Sequence, residues 1–278
     1  MKATTKMRDL WASVAPAWRA HAAYADARSA EVTARLLTLT APLPGDRVLE
    51  LACGPGGLGL AAATRVAPGG EVVISDVAAE MAAIAAERAD EAGLTNVSTR
   101  VLDFEDIDEP DESFDVVLCR EGLMFATDPA QALREIQRVL RPGGRLGLAV
   151  WDARERNPWL GVVFDAVSTE LDRPVPPPGI PGPFALGDAE RLDALLRETG
   201  LTDVGVSDVA VPLRAASFDE WWGRTSALAG PLATILASLP EPAAHAIRDR
   251  AREAAAAYET PAGLELPGVA LIAGARRP

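Results

Sequence analysis

Lysine is almost absent from this chain: of the 27 lysines and arginines in its 278 residues, only Lys2 and Lys6 are lysine. No Tyr-x-x-x-Lys pair therefore exists for the chemistry of short-chain dehydrogenases. Histidine and cysteine are as scarce, with two of each. His21, Cys53, Cys119 and His245 lack the spacing of a metal site, so no metal is expected. Two cysteines near predicted strand ends do not make a disulfide framework, which agrees with a cytoplasmic location. No apolar run approaches the length of a membrane span, and the N-terminus has no signal-peptide core. Positive charge is outnumbered, 27 against 40, leaving a formal net charge of −13. That balance argues against nucleic acid and anionic membrane as partners. The length suits one large domain with additions, and a homodimer is left open.

What is present is concentrated in one stretch, Val48-Leu-Glu-Leu-Ala-Cys-Gly-Pro-Gly-Gly-Leu-Gly59. Val48 to Leu51 reads as a short buried strand, Gly54 and Gly56 as a tight turn, and Leu58 to Val66 as a helix. Glycines let backbone approach a ligand, and a helix start offers free N–H groups and partial positive charge. Gly54, Gly56 and Gly59 satisfy G-x-G-x-x-G, and Asp76 follows at the spacing of a dinucleotide fingerprint. A nicotinamide oxidoreductase is therefore one reading. Glu50 opposes it, because a carboxylate at the tip of the first strand would face a pyrophosphate with like charge. The same carboxylate suits a ligand bearing ammonium and sulfonium, which S-adenosylmethionine is. Asp76 would accept from a ribose diol in either case.

Beyond this stretch the pattern predicts strands at Glu71–Val77, Val97–Asp103, Phe114–Cys119 and Arg145–Trp151, with helices at Ala78–Ala92 and Pro129–Leu140. Arg141–Gly144 reads as a turn, and the acids between 106 and 112 as a solvated loop. The alternation implies a mostly parallel sheet covered by helices on both faces. Before the core, residues 8–40 read as helix broken near Pro16. After it, 152–187 is rich in Pro and Gly around a helix at Trp159–Leu171. A helix at Asp188–Thr199, a strand at Thr202–Pro212, helix over Phe218–Tyr258 and a last strand at Val269–Ala275 complete the chain. The expected division is 1–44, an N-terminal helical arm; 45–151, the cofactor-binding core; 152–216, the remainder of the core; 217–262, a helical insertion; and 263–278, the last strand.

The order of these motifs resembles the class I S-adenosylmethionine-dependent methyltransferases, nearest to the ubiquinone/menaquinone-type and small-molecule group. The resemblance runs from about Asp46 to Val150. It rests on Glu50-Leu-Ala-Cys-Gly-Pro-Gly56, Ile74-Ser-Asp76, Leu102-Asp-Phe104, Phe114-Asp-Val-Val-Leu-Cys119 and Leu140-Arg-Pro-Gly-Gly-Arg-Leu146. One departure is Ala52, where the family commonly has glycine. The resemblance implies a Rossmann-like α/β fold, a doubly wound sheet of seven strands with the last antiparallel. It also implies a site. Glu50 and the backbone of Ala52, Gly54 and Gly56 would hold the methionine end of S-adenosylmethionine. Asp76 would accept from the ribose hydroxyls, Val77 would also bind the cofactor, and Met81, Asp103 and Phe104 would meet the adenine. Cys119 and Arg120 would border the methyl or the carboxylate, and Tyr24 would pack on the cofactor.

Methyl transfer from a sulfonium is an in-line displacement, so alignment and water exclusion supply much of the catalysis. A base is needed only for an acceptor of high pKa, and His21 and His245 are the candidates, with Tyr24 behind them. The helical arm and insertion, carrying Trp11, Trp18, Trp221 and Trp222, are expected to close over a small, fairly apolar acceptor, with O-methylation favoured over C- or N-methylation. A non-catalytic binding protein of the same fold is the third reading.

Overall fold

The computed structural model describes residues 3–177 and 179–278, so Lys2 of the arm and Pro178 of the proline-rich segment lie outside the described residues. Its centre is β1 (Arg47–Leu51), a five-residue run buried over its last four positions. β2 (Glu71–Asp76) and β4 (Phe114–Arg120) flank it in parallel, and β3 (Val97–Val101) and β5 (Leu140–Trp151) extend the sheet on either side. β6 (Thr202–Ala210) forms the far edge. β7 (Leu213–Ala215), β8 (Glu259–Thr260) and β9 (Gly263–Leu266) make a separate small antiparallel sheet. β10 (Val269–Arg276) inserts between β5 and β6, antiparallel to both, giving the order β3-β2-β1-β4-β5-β10-β6. This is the expected seven-stranded sheet with its last strand reversed. Near-continuous apolar burial in β1, β2 and β4 is what a sheet covered on both faces requires.

Helices follow the strands as the alternation predicted: α1 (Ala3–Ala20), α2 (Ala22–Arg28) and α3 (Ala30–Thr40) before β1, α4 (Gly57–Val66) after it, α5 (Ala79–Glu91) after β2 and α6 (Pro129–Val139) before β5. α7 (Pro158–Glu170) and α8 (Ala189–Glu198) precede β6. α9 (Phe218–Leu228), α10 (Gly230–Ser238) and α11 (Glu241–Ala255) lie between β7 and β8. Asp128, Asp188 and Ser217 cap α6, α8 and α9, each side chain accepting a first-turn N–H.

Three local expectations are corrected. Pro16 does not break the arm: α1 runs through it, because the proline faces solvent, where the carbonyl it strands is not enclosed. The breaks fall at His21 and Ser29 instead. Arg141–Gly144 is not a free turn but part of β5. Leu140 stands opposite Phe114 and Arg145 opposite Val116, so the four residues between bulge outward. The small β7–β9 sheet was not anticipated, its strands being two to four residues long.

Candidate active site

The C-terminal ends of β1, β2 and β4 open into a single cavity, the position at which open α/β sheets take ligands. Its floor is the turn after β1. Ala52 sits there with φ 53 and Gly54 with φ 52, both left-handed. For alanine that costs about 1 kcal/mol or more, stored where the backbone meets the cavity. Gly122, after β4, comes so close to Ala52 that a Cβ on it would collide with the Ala52 methyl.

Asp76 ends β2 beneath this turn. Its carboxylate accepts from Gly54 N at 3.0 Å and from Ala78 N at 3.0 Å, tying the glycine turn to the start of α5. Burial pushes its pKa up to about 6, against the backbone hydrogen bonds that hold it down. Glu50 is buried on β1 behind the turn and accepts from Gly59 N at 2.9 Å, which pins α4 to the sheet. Burial drives its carboxyl to about 8, opposed by Arg120 and by the Gly59 bond.

These bonds bear on what the turn can still offer a ligand. Of the N–H groups in this glycine-rich stretch, Gly54 N is already given to Asp76, Gly56 N to the Cys53 carbonyl and Gly59 N to Glu50. Asp26, from α2, is lodged against Gly57 at the start of α4, where a pyrophosphate would have to sit. Arg88 and Arg120 hold Asp26 there.

Of the residues expected at the site, Tyr24, Ala52, Gly54, Asp76, Val77, Met81, Asp103, Phe104 and Arg120 line the cavity. Arg120 also donates to Thr33 Oγ1 at 2.6 Å. The others do not line it. Glu50 serves the turn from behind. Gly56 is packed against α5, where a Cβ would meet that of Ala85 at 2.7 Å. Cys119 is buried in β4, its thiol pushed up to about 12 by desolvation. His21 marks the α1–α2 joint, and exposed His245 lies on α11 beside Trp222 in a separate outer groove. Trp11 and Trp18 line the cavity, but Trp221 is fully buried, donating to the Trp159 carbonyl at 3.1 Å. Trp222 belongs to the outer groove.

Sequence reasoning missed several residues that line the same cavity. Arg28 lies 5.1 Å from the ring centroids of both Trp151 and Trp159 and pairs with Glu121 at 3.1 Å. Arg224 stacks 4.1 Å over the Tyr24 ring. Glu121, directly after β4, and Trp151, at the end of β5, carried a signal in their strand-end positions; the rest are assembled by tertiary packing. Trp18 Nε1 donates to the Leu228 carbonyl at 3.1 Å, joining α1 to α9 across the cavity.

A parallel-stranded core with one reversed strand, and an acid-tied glycine turn unsuited to phosphate, define a nucleoside-binding enzyme fold of the methyltransferase type. A methyltransferase-domain family model matches residues 43–170. The chain is 35% identical over 204 residues to nocamycin O-methyltransferase of Saccharothrix syringae, covering 70% of this chain and 72% of that one. It is 39% identical over 133 residues to the ubiquinone/menaquinone biosynthesis C-methyltransferase of Ectopseudomonas mendocina, covering 48% of this chain and 52% of that one. Against enzymes of that second kind it thus spans only about half of their length. The YcgJ protein of Bacillus subtilis shares the fold, with a TM-score of 0.60 and 22% identity over 88% of this chain and 98% of that one. The chain belongs to the S-adenosylmethionine-dependent methyltransferases.

Among the described residues no helix is long and apolar enough to cross a membrane, and no three metal-ligating side chains converge.

Proposed function

We propose that this protein transfers the methyl group of S-adenosylmethionine to a small, largely apolar molecule, on oxygen in preference to carbon or nitrogen. The observation that carries the cofactor half of this reading is the use of Gly54 N, Gly59 N and the start of α4 by Asp76, Glu50 and Asp26. A turn whose donors are already committed in this way has little left to hold a phosphate, and the Asp76 carboxylate on the cavity wall suits a ligand that brings donors or positive charge. S-adenosylmethionine supplies a methyl already activated on a sulfonium.

The chain's own residues do the rest. Asp76 has carboxylate lone pairs left for the ribose hydroxyls after its two backbone bonds. Met81 and Phe104 offer an apolar bed for adenine, and Asp103 an acceptor at its edge. The backbone of Ala52 and Gly54 presents the floor on which the methionine end rests. α1, α2 and α9 close over the cavity and exclude water, which strengthens every electrostatic contact inside. Trp151, Trp159, Leu160 and Phe164 make the acceptor compartment apolar.

The preference for oxygen rests on the oxygen-methylating relative that matches most of this chain's length. Neither histidine borders the cavity, so the favoured acceptor is one that is already ionised or whose proton is taken by a carboxylate or by water. The reading is tested by incubating the protein with S-adenosylmethionine and a panel of phenols, carboxylic acids, amines and RNA, reading S-adenosylhomocysteine and product mass. Turnover on RNA with none on any small molecule refutes it.

A further inference from the structure

Four polar atoms on the acceptor side of the cavity are buried without a hydrogen-bond partner: Tyr24 Oη, Arg28 Nε, Arg224 Nε and Thr225 Oγ1. Buried polar groups are almost always paired, and each one left unpaired costs a full desolvation penalty. Such atoms number eight among the described residues, and half of them belong to this one wall. Chemically they are of one kind. A guanidinium Nε–H can only donate, and the two hydroxyls each have a proton to give. Burial raises the Tyr24 phenol above its ordinary value, opposed by Arg28 and Arg224, so at neutral pH it holds its proton.

The two arginines are fixed by what surrounds them. Arg28 is held over Trp151 and Trp159, with one Nη on Glu121. Arg224 lies on the Tyr24 ring, with one Nη on Glu220 at 2.9 Å. Each guanidinium thus spends one Nη on an acid and keeps its Nε–H unspent. Glu220 is 43% exposed and screened by solvent, so it offsets Arg224 only in part. The result is a group of cavity residues rich in donors: the two guanidiniums are paired through Nη to Glu121 and Glu220, and their Nε–H groups and the two hydroxyls are left without a partner.

We propose that Tyr24, Arg28, Arg224 and Thr225 form a subsite for a carboxylate carried by the methyl acceptor, whose flat apolar body lies against Trp151 and Trp159. This rests on the methyltransferase reading and narrows it. A carboxylate presents several lone pairs in one plane, enough to serve more than one of these unpaired N–H and O–H donors. An amine would bring further donors to a wall that already has too many. A neutral ketone supplies one acceptor atom without the charge.

The test is calorimetric titration of the full chain, with S-adenosylhomocysteine at saturation, by four probes on one ring system: 2-naphthoate, 2-acetonaphthone, 2-naphthol and 2-naphthylamine. The expected result is 2-naphthoate binding roughly ten-fold or more tighter than the other three. Arg224→Gln should remove most of that preference while S-adenosylhomocysteine affinity stays at the wild-type value, which also shows that the variant is folded. Thr225→Val, nearly isosteric, should weaken naphthoate alone. Equal affinity for the four probes overturns the subsite. So does an absence of binding by any of them, or an equal loss for all four in Arg224→Gln. Failure of S-adenosylhomocysteine to bind would refute the cofactor reading instead, and the carboxylate preference is then read without it.

Discussion

Asp76 is where the fold and the ligand make competing claims on one side chain, so Asp76→Asn separates them. In the free protein the carboxylate gains two backbone hydrogen bonds and loses its hydration. Its rise from 3.8 to about 6 shows that burial wins. Near pH 7.5 that rise corresponds to about 3 kcal/mol against the ionised form. Asparagine removes the burial cost but keeps one acceptor, so either Gly54 N or Ala78 N faces an amide NH2 instead of an oxygen. Losing one charge-assisted bond and stranding a buried donor costs about 2–4 kcal/mol. The two effects nearly cancel, and the variant should unfold in urea within about 1.5 kcal/mol of wild type. Ligand affinity has no such compensation. A ribose diol donating to the carboxylate loses its ionic acceptor, at about 1–3 kcal/mol, or roughly 5- to 150-fold in Kd for S-adenosylhomocysteine. The pH profile gives a second readout. Ribose binding favours the ionised carboxylate, so wild-type affinity should fall as pH drops below about 6, approaching ten-fold per unit, and the asparagine variant should show no such fall. Calorimetry from pH 5 to 8 measures both. Unchanged affinity in a folded Asp76→Asn protein, or an identical pH profile, refutes the ribose assignment.

Other consequences follow from the same structure. Glu50 has its folded pKa raised, so its contribution to stability is present at low pH and is lost as pH rises toward about 8; Glu50→Gln should flatten the decline in unfolding free energy between pH 6 and 8, by up to about 1.4 kcal/mol per unit, as read by urea titration. Gly56→Ala places a methyl 2.7 Å from the Ala85 Cβ at a φ of 83, and should cost about 2–4 kcal/mol of stability; a variant as stable as wild type would mean that α4 and α5 are free to part. S-adenosylhomocysteine should slow hydrogen exchange in α1 and α9, which meet across the cavity at Trp18 and Leu228, and unchanged protection in both would remove the lid.

The strand-end side of the cavity was legible because it is local. Ala52, Gly54, Asp76, Val77, Asp103 and Phe104 sit at or just beyond predicted strand ends, and a parallel sheet brings such ends together whatever the helices do. The helical side of the cavity was not legible in the same way. Arg28, Trp159 and Arg224 come from three helices separated by long stretches of chain, and no spacing foretells that they meet. The tryptophans misled for the same reason. Trp221 and Trp222 lie side by side on α9, yet one points into the core and the other toward the outer groove. Trp151 read only as the end of a strand, yet it holds the cavity wall. His21 and His245 were singled out by scarcity and chemistry, which say nothing of position. Glu50 was assigned to the ligand on charge, whereas its buried side of β1 commits it to Gly59.

The central claim is that the carboxylate-tied turn after β1 holds an S-adenosyl ligand and rejects a dinucleotide. Parallel calorimetric titration of the full chain with S-adenosylmethionine, S-adenosylhomocysteine and NAD tests it directly. The account predicts one site per chain for each S-adenosyl compound, weakened by Asp76→Asn, and no heat with NAD; saturable NAD binding, or no binding of either S-adenosyl compound, would contradict it.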